Sequence, residues 1–405
     1  MRFCNILCLL FILIFIFSGC AAKIEKPIEE PVEKLQPPLA LIPSDKIPCL
    51  IDDLNWDALS NAIEKSISYY GSIKESIVYS IGQDIFSAED MKESLLAFKE
   101  IISGSESNEK KNKKLKENFR VYKATGYDGR GTVLFTGYFE PIMEGSLQKT
   151  MDCRYPIYKT PSDVVTVNLE KFRRKYSNER IVGRVKNGEL VPYFSRADID
   201  GTGLLMNKKL ELVWVNDPVD LFFLHIQGSG KIKLTDNRLI QVSYAQSNGR
   251  PYRSIGRYLL EMGKLSESEM SHALIKRYLK EHPNERSDIL NYNESYIFFR
   301  LVEEGPVGAM GLTLTASRSI ATDLNIFPKG MIAFIKLRKP IFNDQGRIET
   351  WEPFSRFVLN QDTGGVIKGA GRVDLFCGTG TEAEMLAGSL KEKGELYFFI
   401  KKRDK

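Results

Sequence analysis

Hydrophobic positions along this chain follow two different periods. Trp56, Leu59, Ile63, Ile67 and Tyr70 recur at the three-and-four spacing of one helical face, and Gly71 offers a stop. A second helix is predicted to open at Ser87, with Asp90 three residues on as a capping box and Phe86 and Met91 placed as a hydrophobic staple. Residues 103–118 are so rich in charge that they read as a solvated break or a weak helix, with the break favoured. From Thr132 the period changes to two. The runs "VLFTGYFEP", "YPIYKTP", "LELVWVNDPVDLFFLHIQGSGKIKL", "RLIQVSYA" and "GMIAFIKL" alternate like strands and are punctuated by Gly, Asn, Asp and Pro. Two helices interrupt them, over residues 252–262 and 266–281, the latter opened by a Ser266/Glu269 capping box. No period of 20–50 residues repeats. The pattern predicts a mainly β protein with helices, divided into two barrel-like domains.

The N-terminus adds a location. "MRFCNILCLLFILIFIFSGC" carries one positive charge, an apolar run from Ile6 to Phe17 and small residues before Cys20, the anatomy of a signal peptide over residues 1–19. The run is short for a spanning helix of ~20 residues. A Cys directly after a small pair resembles the bacterial lipoprotein box, although Phe17 stands where Leu is usual. That resemblance implies cleavage before Cys20, acylation of Cys20, and, with Ala21 next, the periplasmic face of the outer membrane. Residues 20–48 are rich in Pro, Glu and Lys and predict a semi-extended tether, with the folded body starting near Cys49. Cys49, Cys153 and Cys377 remain, an odd number that argues against a disulfide framework. Three scattered histidines and no paired Cys give no readable metal site. A net charge of +5 without a basic tract interleaved with aromatics argues against a nucleic-acid partner. No cofactor is implied. "GTGTEA" lacks the second strand–helix unit of a dinucleotide fold, and "QGSGK" lacks two of the P-loop residues.

"RVDLFCGTG" raises the chemical question. Asp374 sits between Val373 and Leu375 in an apolar strand, where desolvation raises a carboxyl pKa. Two readings stand: a protonated general acid, or an ionised Asp accepting backbone hydrogen bonds at a strand end. Asp362 in "QDTGG" and Asp323 in "ATDLNIFPKG" fit turn anchors as well as chemical roles. Buried Cys377 is read as inert, and His225 as a satisfied strand residue. Aromatic and amide side chains in "TGYFEP", "HIQGSG" and "SYAQSNGRPYRSIG" suit a polysaccharide groove, yet ordinary strand ends have much the same composition.

These stretches, taken in order with "ADIDG", "GPVGAMGLTLTASRSIATDLNIFPKG" and "QDTGGVIKGAGRVDLFCGTGTEAEMLAGSLKEKGELY", closely resemble the membrane-bound lytic murein transglycosylase A (MltA) family over residues 48–399. The resemblance implies a double-psi β-barrel, the 3D domain, built from residues 49–144 and 297–405, with a β-barrel-like domain inserted at 145–296. The three aspartates that name the 3D domain fall on Asp323, Asp362 and Asp374. The family's catalytic Asp matches Asp374, with Asp362 and Asp323 in support. The implied partner is the peptidoglycan glycan strand, lying between the domains; Tyr138, Glu140, Gln227, Ser229, Asn248 and Tyr252 are the candidates for lining that groove. The expected reaction cleaves the MurNAc–GlcNAc bond and closes a 1,6-anhydro ring. A monomer anchored to the outer-membrane inner leaflet is expected. Two rival readings are a glycan hydrolase using two carboxylates and a lipid-tethered wall-binding protein without turnover.

Overall fold

The computed structural model describes residues 37–177, 179–266 and 271–403, and Pro37–Lys405 forms one compact unit. The expected signal peptide and the Cys20 anchor lie outside the described residues. Among the described residues, no helix is long and apolar enough to cross a membrane.

Six strands close into a barrel: β1 (Val133–Glu140), β2 (Ser319–Ala321), β3 (Ile332–Phe342), β4 (Ile348–Asp362), β5 (Arg372–Thr379) and β6 (Lys391–Lys401). Strands β3 and β4 form a long antiparallel hairpin, and β6 runs antiparallel to both β3 and β1. Parallel pairings of β4 with β2 and of β5 with β1, joined by antiparallel β2–β5, complete the circuit. The core fills because inward residues such as Phe135, Phe334, Phe357, Val373, Leu375 and Phe399 are almost wholly excluded from water. Helices Asp57–Ser72 and Ala88–Ser103 lay Leu59, Ile63 and Phe98 onto this core. The Phe98 ring centroid lies 4.9 Å from that of Phe357.

Between β1 and β2 the chain builds a second, six-stranded sheet in the order Ile297–Val302, Leu239–Ser247, Ser229–Leu234, Ile142–Ser146, Glu211–Val215, Tyr155–Tyr158. A bridge from Lys159 to Phe299 brings its two edges together. The outward crossing from β1 is fastened by Glu140. Its carboxylate is 0% exposed and accepts from Thr379 Oγ1 at 2.8 Å and from the Gln241 amide, with Lys231 Nζ 3.5 Å away. A buried acidic side chain is tolerated there because a cation and two donors take the place of water.

The capping box at Ser87 and Asp90 forms as predicted. Other readings need correction. The tether ends earlier than Cys49: Leu39–Leu41 pairs antiparallel with Phe119–Ala124, because buried Leu39 gives that short strand an apolar foothold. In residues 103–118 the favoured break gives way to the helix reading, since Asn108–Asn118 is a helix with Ser107 as its cap and Leu115 buried. The apolar run "PVDLFFLHIQ" is a helix, Pro218–Gln227, not part of a strand. Asp217 accepts from the amides of Val219 and Asp220, and Pro218 occupies the first turn, which starts a helix that hydrophobicity alone left ambiguous. His225 therefore lies on that helix, and its Nε2 has no partner among the described residues. The second predicted capping box falls partly on residues outside the description; the helix there runs His272–Glu281, capped by Ser271.

Candidate active site

One row across four barrel strands gathers the chemistry. Asp374 on β5 is level with Thr136 on β1 and with Ala321 on β2, and Ala321 is in turn level with Asp362 on β4. Row neighbours on adjacent strands point to the same face. The two carboxylates therefore flank the small Ala321 side chain. On β5 the alternation sends Val373 and Leu375 into the barrel core and Asp374 to the outer face.

Asp374 is 15% exposed. Thr136 Oγ1 donates to its Oδ1, and Arg372 Nε stands 3.5 Å from the same oxygen. No described residue bonds Oδ2, which leaves that oxygen for a ligand. Burial raises the Asp374 pKa, opposed by the Thr136 hydrogen bond and the Arg372 charge. Asp362 is half-buried, and the loss of water around it pushes its pKa up to about 6. The Tyr138 hydroxyl donates to Asp362 Oδ2 at 2.7 Å, and the amides of Thr363 and Ala309 also favour its ionised form. Tyr138 is held in place by the Phe376 ring, 5.3 Å away between centroids. Gly137 must stay small, because a Cβ there would lie 2.7 Å from Ala387 Cα on the helix Thr381–Ser389.

The predicted residues separate into two groups. Asp374, Asp362 and Tyr138 meet in this row. Asp323 stands beside it as a loop anchor, accepting from the amides of Asn325 (3.1 Å) and Gly369 (3.0 Å). Tyr252 is 43% exposed, and its hydroxyl feels the Arg372 charge, so it approaches the row from the loop that follows the strand Leu239–Ser247. Gln227 is half-buried and accepts from the Phe139 amide at 2.9 Å. Glu140, Ser229 and Asn248 do not line a groove. Glu140 is the buried fastener described above, and Ser229 is buried within its strand. Wholly buried Asn248 donates to the carbonyls of Phe194 and Glu294 and accepts from the Tyr296 amide, each at 2.9 Å. Polar residues at strand ends are often spent on backbone groups, and composition does not separate that use from ligand binding.

Sequence reasoning missed Thr136 and Arg372. Thr136 opens "TGYFEP", but its role requires the parallel β1–β5 register, which local sequence does not encode. Arg372 lies two residues before Asp374, the spacing that puts both on one face of a strand, and that signal was available. Cys377 is buried, and burial pushes its thiol up to about 12, so it is no nucleophile at neutral pH.

Comparison with known proteins agrees with this architecture. A family model described as the MltA specific insert domain matches residues 134–300, and one described as the 3D domain matches residues 318–400. The membrane-bound lytic murein transglycosylase A of Escherichia coli K12 is 30% identical over 280 residues, which are 68% of each chain. Among solved structures, a membrane-bound lytic murein transglycosylase from Agrobacterium tumefaciens is 28% identical with a TM-score of 0.73, over 90% of this chain and 97% of that one. MltA from Neisseria gonorrhoeae is 27% identical with a TM-score of 0.66, over 91% and 92%. On sequence and fold alike, this chain belongs to the membrane-bound lytic murein transglycosylase A family.

Proposed function

We propose that the protein is a peptidoglycan lytic transglycosylase that breaks the MurNAc-β-1,4-GlcNAc bond with Asp374 as its single acid and base. The row Thr136–Asp374–Ala321–Asp362 carries this reading: one sheltered carboxyl with a free oxygen, and a second carboxyl held fast beside it. Protonated Asp374 gives its proton to the glycosidic oxygen as the C1–O bond breaks, and the GlcNAc leaves with a free hydroxyl. The positive charge developing at C1 is stabilised by Asp362, whose three donors favour the carboxylate. Asp374, now ionised, takes the proton of the muramic acid C6 hydroxyl while that oxygen bonds to C1. No water is consumed, and the acid is regenerated. An intramolecular nucleophile needs only correct folding of the sugar, and such groups reach effective molarities of ~10⁵ M or more.

A hydrolase would need a second carboxylate free to activate water. Glu140 is committed to Thr379, Gln241 and Lys231, and Asp362 to its three donors, which favours the single-acid reading. The remaining parts of the proposal are a double-psi path for the barrel, a glycan lying between the barrel and the inserted sheet near Tyr252, and anchorage through acylated Cys20 to the outer membrane. Digestion of purified sacculi tests the chemistry. Anhydro-muropeptides are expected, and products with reducing ends would overturn it.

The hydrogen bond from Thr136 gives a further expectation. It favours ionised Asp374, so removing it with Thr136→Val raises the pKa of the acid. A general acid is active while protonated, and rate is lost as pH rises through its pKa. The alkaline limb of kcat/KM should therefore move up by about one pH unit, the equivalent of one charge-assisted hydrogen bond. A pH profile on sacculi measures it; a limb that stays in place or moves down contradicts the role of Asp374.

A further inference from the structure

We infer that the small sheet formed by Val165–Asn168, Arg180–Lys186 and Glu189–Pro192 docks on an anionic phospholipid bilayer. This contact is independent of the active site and of any lipid on Cys20.

The sheet's two faces differ. Within Arg180–Lys186 the middle even-numbered side chains turn toward the body: Val182 packs at Gly249, and the Arg184 guanidinium lies 4.2 Å from the Phe194 ring centroid, while Arg180 and Lys186 at the strand's two ends are exposed. The odd-numbered ones turn away. Ile181 and Val185 are exposed, Val185 by 60%, and the register sets Leu190 opposite Val185 and Val167 opposite Ile181 on the same outer face. Phe172, beside this face in sequence, is 73% exposed. A patch of aliphatic and aromatic side chains this open is uncommon unless something covers it.

Its rim is basic. Residues 165–192 contain seven cations against Glu170, Glu179 and Glu189, a surplus of four within a chain whose net charge is +5. Lys171, Arg173, Arg174, Lys175, Arg180 and Lys186 are all exposed, and no described residue forms an ion pair with them. Elsewhere on this protein the exposed cations Lys114, Lys264 and Arg403 do find carboxylates.

An apolar centre with a cationic rim matches the interface of a bilayer, where apolar side chains enter the acyl boundary and cations meet phosphates. A polysaccharide offers only narrow apolar ring faces between hydroxyl rims, a poor cover for the aliphatic Ile181, Val185 and Leu190, although its stem-peptide carboxylates could meet the cations. Lipid satisfies both halves of the patch. A surface of this kind would hold the enzyme in one orientation at the membrane, which a flexible tether alone cannot do.

Among the described residues, all five apolar clusters lie within the unit Pro37–Lys405. Co-sedimentation with vesicles of phosphatidylethanolamine and phosphatidylglycerol tests the inference. Binding is expected to these vesicles, to be weak on phosphatidylcholine, and to fall with salt. Arg173→Gln with Arg174→Gln should weaken it at least tenfold, as should Phe172→Ser with Val185→Ser, while digestion of sacculi in solution is unchanged. All four side chains are exposed, so the fold should survive, and an unchanged melting curve checks that. Failure to bind the anionic vesicles, or binding indifferent to both double variants, overturns the inference. If the same variants instead abolish sacculus binding, the patch serves wall carboxylates and the lipid assignment is wrong. A dimer in sedimentation that either variant dissociates overturns it too.

Discussion

Asp374→Asn is expected to abolish release of muropeptides from sacculi, with a loss of at least 10²–10⁴-fold, the usual share of general acid–base catalysis. The substitution is nearly isosteric, and the amide oxygen can still accept from Thr136 Oγ1. Fold and groove should persist, and the variant should still sediment with sacculi. What is lost is the proton. An amide cannot protonate the departing oxygen, and it cannot recover a proton from the C6 hydroxyl. No other group in the row replaces it, because Asp362 is committed to Tyr138 and two amides that favour its charge. Turnover in Asp374→Asn comparable to the parent protein would end the single-acid mechanism. Loss of sacculus binding together with activity would leave binding alone as the role of Asp374.

The parts of this site that were legible from sequence were those carried by local pattern. The lone Asp374 between Val373 and Leu375 was the conspicuous carboxyl of its strand, and it is held largely out of water with a raised pKa, although by alternation it faces away from the core that those two neighbours fill. The Ser87 capping box and the period-two runs were local signals of the same kind. The pairing of Thr136 with Asp374 was not legible. It depends on two strands more than two hundred residues apart lying parallel in one register, which only closure of the barrel fixes. The inward turn of Glu140 and Asn248 escaped for a related reason. Each satisfies backbone or side-chain groups contributed by distant segments, and a sequence shows polar residues without showing what they bond. The helix Pro218–Gln227 escaped differently: its Asp-Pro start was readable, but "FFLH" suits a buried strand and a buried helix equally.

The largest effect on stability is expected where the N-terminal segment grips the barrel, behind the catalytic row. Arg318 immediately precedes β2, and its guanidinium forks onto Asp52, Nη1 to Oδ2 at 2.6 Å and Nη2 to Oδ1 at 2.9 Å. The same guanidinium donates to the carbonyls of Phe357 and Asn55, and Asp52 accepts from the Phe357 amide. Both side chains are out of water. Asp52→Ala would leave a buried cation without its anion, a change that costs about 3–5 kcal/mol. The thermal midpoint should fall by several degrees, with a matching drop in the denaturant midpoint. Lys339→Met, at the more exposed pair with Asp53, is the contrast and should cost less than about 1 kcal/mol. Replacing both members, Asp52→Leu with Arg318→Met, removes the unpaired charge and should recover part of the loss. Because Ala321 on β2 separates Asp374 from Asp362, loosening Arg318 should also lower activity at temperatures where the protein is still folded. If Asp52→Ala melts with the parent protein, the pair is not the clamp that the geometry describes.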